Sequence, residues 1–202
     1  MRPRRMSELH QIGLDERKRA LRRDLRARRR ALDAAGRAEA SRAAAWHALA
    51  GLAWRERRRV ALFWPLADEI DTLPLLHALH WLGAEVLLPR MQGRGMPLLF
   101  HRWSPELELV EGLFRVREPP PGLPQAAPEI VLTPLLAFDG LGNRLGYGAG
   151  FYDMTFAALG GAPVRCGFCF AGQEVDEVPA SATDVRLDLV VTEAGCRALG
   201  EV

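Results

Sequence analysis

Residues 139–153 read Asp-Gly-Leu-Gly-Asn-Arg-Leu-Gly-Tyr-Gly-Ala-Gly-Phe-Tyr-Asp. The five glycines, Gly140, Gly142, Gly146, Gly148 and Gly150, admit positive φ angles and let the backbone approach a ligand that a Cβ would hold away. Successive N–H groups can then face one concavity, and a helix that follows adds the positive end of its dipole. Together these make an anion site, with phosphate as its natural guest. Arg144 supplies a forked cation beside the glycines. Asp153 supplies a carboxylate in the first helical turn, where Mg²⁺ can bridge to phosphate oxygens. There is no Gly-Lys-Ser/Thr ending of a P-loop, and Gly146-x-Gly148-x-Gly150 is one residue too tight for a dinucleotide fingerprint. The pattern points to a magnesium-bound nucleotide; the alternative is a long glycine-rich turn that holds nothing.

The flanking sequence supplies elements to position this loop. The apolar run 130–138 predicts a strand leading in, and 151–159 predicts a helix closed by Gly160 and Gly161. Upstream, 60–64 predicts a buried strand and 65–69 a loop. Thr72 is the expected cap of a helix reaching Leu82, and 84–89 the next strand. This β-α-β unit implies a parallel pair with a right-handed crossover. It places Trp64 and Glu69 at the carboxyl end of a strand, the edge where open α/β sheets bind ligands. Further strands are expected at 96–103, 113–117, 164–170 and 187–191, with a proline-rich connector at 118–122 and a terminal helix from Glu193. At the front, residues 1–13 predict a disordered extension. Asp15 is the expected cap of a helix to Leu32 carrying Lys18, Arg19 and Arg22, and 34–50 predicts a second helix that completes a hairpin.

A chain of 202 residues, 49% hydrophobic and 26% charged, suits one α/β domain over 14–202. No apolar run reaches the roughly 18 residues of a membrane span, and the arginine-rich start lacks the apolar stretch of a secretory signal, so a cytoplasmic location is expected. Three cysteines are too few for a disulfide framework. Cys166 and Cys169 sit three apart on an expected strand, facing opposite sides, and are read as structural. His77 and His80 are read as packing residues, having no acidic partners in sequence. The net charge of +2 conceals a basic first 60 residues and an acidic remainder. The arginines of the first helix raise nucleic-acid binding as a rival role. No aromatic residue interleaves them and no known nucleic-acid module follows, so a solvated face, or an arm over a ligand, is the reading kept.

Residues 144–153, preceded by Pro-Leu-Leu-Ala-Phe-Asp at 134–139, resemble the signature loop of the 5-formyltetrahydrofolate cyclo-ligase family, also called methenyltetrahydrofolate synthetases. Three other segments resemble that family in the same order: 18–22, 64–72 with its Glu-Ile-Asp-Thr ending, and 173–188. The resemblance implies a single α/β domain, a mostly parallel sheet with helices on both faces, to which the N-terminal helical hairpin read above is added; a monomer is expected. It implies that ATP and 5-formyltetrahydrofolate become 5,10-methenyltetrahydrofolate, ADP and phosphate, with Mg²⁺ required. Carried over residue by residue, phosphate binding falls to Arg144, Lys18, Arg19, Arg22 and the loop Leu145, Gly146, Tyr147, Gly148, Ala149, Gly150, Phe151 and Tyr152. Arg144 and Lys18 are the expected catalytic cations. The metal falls to Asp153 and Asp184, and the folate to Trp64, Glu69, Tyr147 and Phe151. Ala149, Phe151, Met154 and Thr183 depart from common family residues, and Met154 removes a possible cation. The other readings are an ATP-dependent kinase or ligase using the same loop on another heterocycle, and a folate- or RNA-binding protein without activity.

Overall fold

The structure is a computed structural model that describes residues 3–200, with side chains from Ile12 onward. In chain order the elements are α1 (Pro3–Arg30), α2 (Ala34–Gly51), β1 (Arg59–Ala61), α3 (Leu73–Trp81), β2 (Glu85–Met91), β3 (Leu98–Arg102), β4 (Val110–Glu111), β5 (Arg117–Glu118), β6 (Ile130–Thr133), β7 (Ala137–Phe138), β8 (Arg144–Leu145), α4 (Phe151–Leu159), β9 (Val164–Phe168), β10 (Leu189–Thr192) and β11 (Gly195–Ala198). A seven-stranded sheet has the order β11-β10-β9-β6-β1-β2-β3. Its five central strands are parallel, and both edge strands, β11 and β3, run antiparallel.

Alternation along the central strands explains the layers. Val60, Leu62, Val86, Leu88, Ile130 and Leu132 bury on the face covered by α2 and α3, against Ala44, Ala48, Leu75 and Leu79. The residues between them, Ala61, Leu87 and Val131, bury on the opposite face with Phe156 of α4. β1 and β6 are neighbours, yet the chain leaves β1 through α3 on one face and leaves β6 through α4 on the other. Their carboxyl ends therefore splay around a crevice, the topological switch point of a doubly wound sheet.

Several local expectations change. α1 begins at Pro3, so Asp15 lies inside it and not at its cap, and the extension expected over 1–13 is helical from Pro3; residues 1 and 2 lie outside the described residues. Proline is accommodated in a first turn, and the Arg, Met, Glu, Leu and Gln that follow propagate a helix well enough to carry Gly13, which costs about 1 kcal/mol. α2 does start behind its expected cap: Asp33 Oδ1 accepts from Gly36 N at 2.9 Å. Thr72 makes no side-chain cap. Its hydroxyl donates to Phe63 O at 2.7 Å, tying the start of α3 to the end of β1, while Asp71 Oδ1 accepts from Leu73 N.

The run 130–138 breaks after Thr133, and β7 pairs with β8 in a separate antiparallel hairpin. The expected strand 113–117 is a 3-10 turn, Leu113–Arg115, between the short strands β4 and β5. The expected terminal helix from Glu193 is the antiparallel strand β11, because Thr192 Oγ1 accepts from Ala194 N in a tight turn and Gly195 takes φ 150. Cys166 and Cys169 bury in different clusters, and burial pushes both thiols up. His77 and His80 pack edge-on against Trp103.

Candidate active site

A cavity of about 690 Å³ opens at the switch point. Phe63, Trp64, Leu66 and Glu69 reach it from the end of β1, Pro89 and Met91 from β2, and Pro134 from the end of β6. The stretch from Arg144 to Asp153 forms one wall, Ser181, Thr183 and Asp184 another, and Phe114, Val116 and Arg117 of the β4–β5 hairpin a third. α1 closes it with Asp15, Lys18, Arg22 and Arg26, spaced near one helical turn apart so that one face of the helix looks inward.

The five glycines divide into two jobs. Gly140 and Gly142 belong to the β7–β8 turn, which Asp139 organises from a buried position: Oδ1 accepts from Leu141 N and Asn143 N, and Oδ2 from Asn143 Nδ2 and Val178 N. A Cβ at Gly142 would stand 2.5 Å from Leu187 O. Gly146, Gly148 and Gly150 line the cavity, leading into the first turn of α4. Gly148 takes φ 104 with the Arg22 guanidinium 3.3 Å from where its Cβ would be, so a side chain there would meet both strain and the cation. The side chain of Leu145 is core, packed with Leu25 and Leu136, so only its backbone serves the loop.

At this end cations and carboxylates interlock. Lys18 Nζ lies 2.5 Å from Asp184 Oδ2, which also accepts from Ser181 N at 2.7 Å. Burial opposes ionisation of Asp184, but the Lys18 ammonium and the Ser181 N–H outweigh it and hold the carboxyl below the usual range. Arg22 Nε donates to Gly146 O at 2.9 Å. Arg144 is buried: it pairs with Asp153 Oδ1 at 2.7 Å, donates to Val185 O and lies over the Phe156 ring. Its burial depresses the guanidinium's pKa, with Asp153 acting in the opposite direction. The expected cation and the expected metal ligand are thus paired with each other. Arg19 is exposed and bonds only the Asp15 carbonyl among its described hydrogen bonds; one residue beyond Lys18 turns it about 100° from the cavity-facing stripe.

At the other end Glu69 is buried. Oε2 accepts from Leu66 N at 2.8 Å and Oε1 accepts from the Tyr147 hydroxyl. Burial pushes the Glu69 carboxyl up, against the Leu66 N–H, the Tyr147 hydroxyl and the charge of Arg29. The phenols of Tyr147 and Tyr152 are also pushed up, by burial and by the charge of Glu69. Tyr147 therefore serves first as a donor to Glu69, where sequence suggested an aromatic surface. Phe151 meets Phe114 edge-on, with ring centroids 6.2 Å apart. Sequence reasoning missed Phe114 and Arg117, which no motif marks. It also missed Arg26, which the four-residue step from Arg22 would have placed in the cavity.

The donor set suits a magnesium ion that arrives with phosphates and not one held by protein alone. Among the described residues no three His, Cys, Asp or Glu side chains gather in a cluster able to hold a metal. Asp153 and Asp184 face one cavity, and Mg²⁺ is commonly held by one or two carboxylates plus substrate phosphates and water.

The family model for 5-formyltetrahydrofolate cyclo-ligases matches residues 14–193. A 5-formyltetrahydrofolate cyclo-ligase of Haemophilus influenzae is 31% identical over 183 residues, covering 87% of this chain and 98% of that protein. One from Escherichia coli K12 is 35% identical over 139 residues, 66% of this chain and 76% of that protein. The solved structure of Aquifex aeolicus 5,10-methenyltetrahydrofolate synthetase superposes with a TM-score of 0.77 at 27% identity, covering 92% of this chain and 94% of that one.

Proposed function

Because the chain belongs to the 5-formyltetrahydrofolate cyclo-ligase family, we propose that it converts 5-formyltetrahydrofolate to 5,10-methenyltetrahydrofolate, consuming ATP and releasing ADP and phosphate. The observation that carries this reading is the two-ended cavity. One end gathers Lys18, Arg22 and Arg144 around a glycine-rich backbone, and the other holds a buried carboxylate acceptor, so a polyphosphate and a heterocycle can lie in contact.

The formyl oxygen attacks the γ-phosphoryl group and ADP leaves. N10 then closes on the activated carbon, and phosphate departs with the former formyl oxygen. No protein nucleophile is required, so catalysis consists of positioning and charge neutralisation. Arg144, Lys18 and Arg22 neutralise charge on the phosphates while the backbone from Leu145 to Tyr152 shapes their cradle. Asp153 and Asp184 would hold Mg²⁺, which when bound would supply further neutralisation of phosphate charge. Glu69 accepts from the donor edge of the pterin, and Trp64, Tyr147 and Phe151 line its faces.

The enzyme acts as a monomer in the cytoplasm on this reading, where the free Cys166, Cys169 and Cys196 suit a reducing compartment. Among the described residues no helix is long and apolar enough to cross a membrane. The test is growth of the methenyl-folate absorbance from 5-formyltetrahydrofolate. It is expected only with Mg-ATP, and folded protein that produces no absorbance under those conditions would overturn the assignment.

A further inference from the structure

We propose that Arg29 is a positioning residue that couples the phosphate end of the cavity to the folate end through α1. The proposal rests on the reading just given. Lys18, Arg22, Leu25 and Arg29 follow one another at steps of four, three and four, and so occupy one stripe of the helix, roughly 60° wide at 100° per residue. Each member touches a different part of the site. Lys18 meets Asp184, Arg22 bonds the Gly146 carbonyl, and Leu25 is buried against Leu136, Ala137, Leu145 and Val178.

Arg29 ends the stripe, and its side chain is only 3% exposed, whereas Arg28 is exposed and the Arg30 side chain is 73% exposed. A guanidinium leaves water only where other groups replace its hydration. Here the replacements are Asp68, 2.9 Å away, and the face of Tyr147, whose ring centroid is 5.5 Å from Arg29 Cζ. Asp68 immediately precedes Glu69, and Tyr147 donates its hydroxyl to Glu69. Arg29 and Glu69 also line one small crevice together with Gln173. Arg29 therefore holds the residue that precedes Glu69 in the chain and the tyrosine whose hydroxyl bonds it, while not itself lining the main cavity.

Lys18 and Arg29 are separated by about 16 Å of unbroken helix at 1.5 Å per residue. A polyphosphate drawing on Lys18 and Arg22 therefore fixes the placement of Arg29, and with it Asp68 and Tyr147. Coupling of this kind is reciprocal: nucleotide tightens folate by the factor with which folate tightens nucleotide.

The experiment titrates 5-formyltetrahydrofolate into the full chain calorimetrically, with and without a non-hydrolysable ATP analogue and Mg²⁺. In the wild type the analogue is expected to tighten folate by about fivefold or more, the range typical of coupled sites. In Arg29→Leu folate binds more weakly and the analogue no longer changes its affinity, while analogue binding measured without folate stays at the wild-type value. A merely structural role for Arg29 would lower affinities without removing their ratio. Arg29→Lys keeps the charge but loses the fork and the stacked plane, and is expected to fold and to cut the ratio at least threefold; it decides the matter if Arg29→Leu does not fold. A wild-type ratio in the folded variants, or a wild-type protein in which the analogue leaves folate affinity unchanged, overturns the coupling. A wild type that binds the analogue but no 5-formyltetrahydrofolate overturns the substrate assignment, and the coupling with it.

Discussion

Asp184 and Glu69 line one cavity, the first beside Lys18 and the second beside Tyr147, and their carboxyls are shifted in opposite directions. Asp184 touches an ammonium directly, so it stays ionised despite partial burial. Glu69 is more deeply buried and has a phenol and an amide N–H as its direct partners. The nearest cation in its network, Arg29, makes its ion pair with Asp68 instead. On the proposed function, the phosphate end compensates charge and the folate end presents one carboxylate for a heterocycle's donors to satisfy. Of these two carboxyls, burial dominates at Glu69, which no full charge contacts, and the contacting charge dominates at Asp184.

If the ends are separable, damage at the phosphate end should spare folate binding. Arg144→Met removes a buried cation together with its bonds to Asp153 and the Val185 carbonyl. Loss of one preorganised electrostatic group of this sort costs on the order of 10² to 10³ in turnover. Steady-state kinetics should show that loss in kcat/KM for ATP, while folate affinity measured directly without nucleotide holds. An equal fall in folate affinity, in protein that melts at the wild-type temperature, would erase the division between the ends.

The reciprocal damage is Glu69→Gln, which turns a charged acceptor into a mixed donor and acceptor beside the Tyr147 hydroxyl and the Leu66 N–H. A hydrogen bond to charge is worth about 1.5 to 3 kcal/mol. Folate affinity should drop by about 10- to 150-fold at 1.4 kcal/mol per decade. Calorimetry that returns wild-type affinity would remove Glu69 from the substrate site.

The two ends also differed in how readable they were in the sequence. The phosphate end is local: glycines, Arg144 and Asp153 fall within ten residues, and the helix read at 151–159 is α4 residue for residue. Lys18 and Arg22 were marked by the family resemblance and by no local pattern, and their spacing of about one helical turn brings both to the cavity. The folate end is assembled from distant segments. Glu69 was marked by its place after a strand, but the Tyr147 bond spans 78 residues and leaves no periodicity to read. Arg29 lies among three consecutive arginines of identical composition, and only its phase on α1 buries it. Two hairpins escaped for related reasons. An unbroken apolar run hides the step from β6 to β7, and the positive φ of Phe114 and Arg115 is set by the tertiary position of their turn and by no turn signal in sequence.

A milder substitution sharpens the phosphate end. Lys18 is the only lysine among 27 basic residues, and its ammonium sits 2.5 Å from Asp184 with a side chain 11% exposed. A planar guanidinium needs room for its fork that a nearly enclosed ammonium does not. Lys18→Arg should raise the KM for ATP by about three- to tenfold, below 1.4 kcal/mol. Arg19→Lys should change nothing, because Arg19 is exposed and away from the cavity. Equal kinetics in the two variants would take Lys18 out of the nucleotide site and leave it as the structural partner of Asp184.

The smallest effect separates the ends by acid. The folded Glu69 carboxyl is raised above its ordinary value of about 4.3 by burial, so protonation begins at a higher pH than in the unfolded chain. Between those two values the folded state holds more protons, and Glu69's contribution to stability therefore falls as pH rises through the window. Its use as an acceptor runs the other way, since the protonated carboxyl loses the charge that receives the pterin's donors. Asp184 has the opposite linkage. Its folded pKa is depressed, so its contribution is complete above the ordinary value of about 3.9 and is lost only as pH falls through the folded value. Acidification should consequently weaken folate before it disturbs the Lys18–Asp184 contact. On going from about pH 7 to about pH 5, folate affinity is expected to fall, because the raised Glu69 carboxyl takes up its proton before an ordinary glutamate of about 4.3 would. Titration of the folate's own groups is removed by subtracting the profile of Glu69→Gln. A wild-type profile parallel to that of the variant would show that the Glu69 charge is not what the substrate reads, and the contrast between the two ends would then rest on geometry alone.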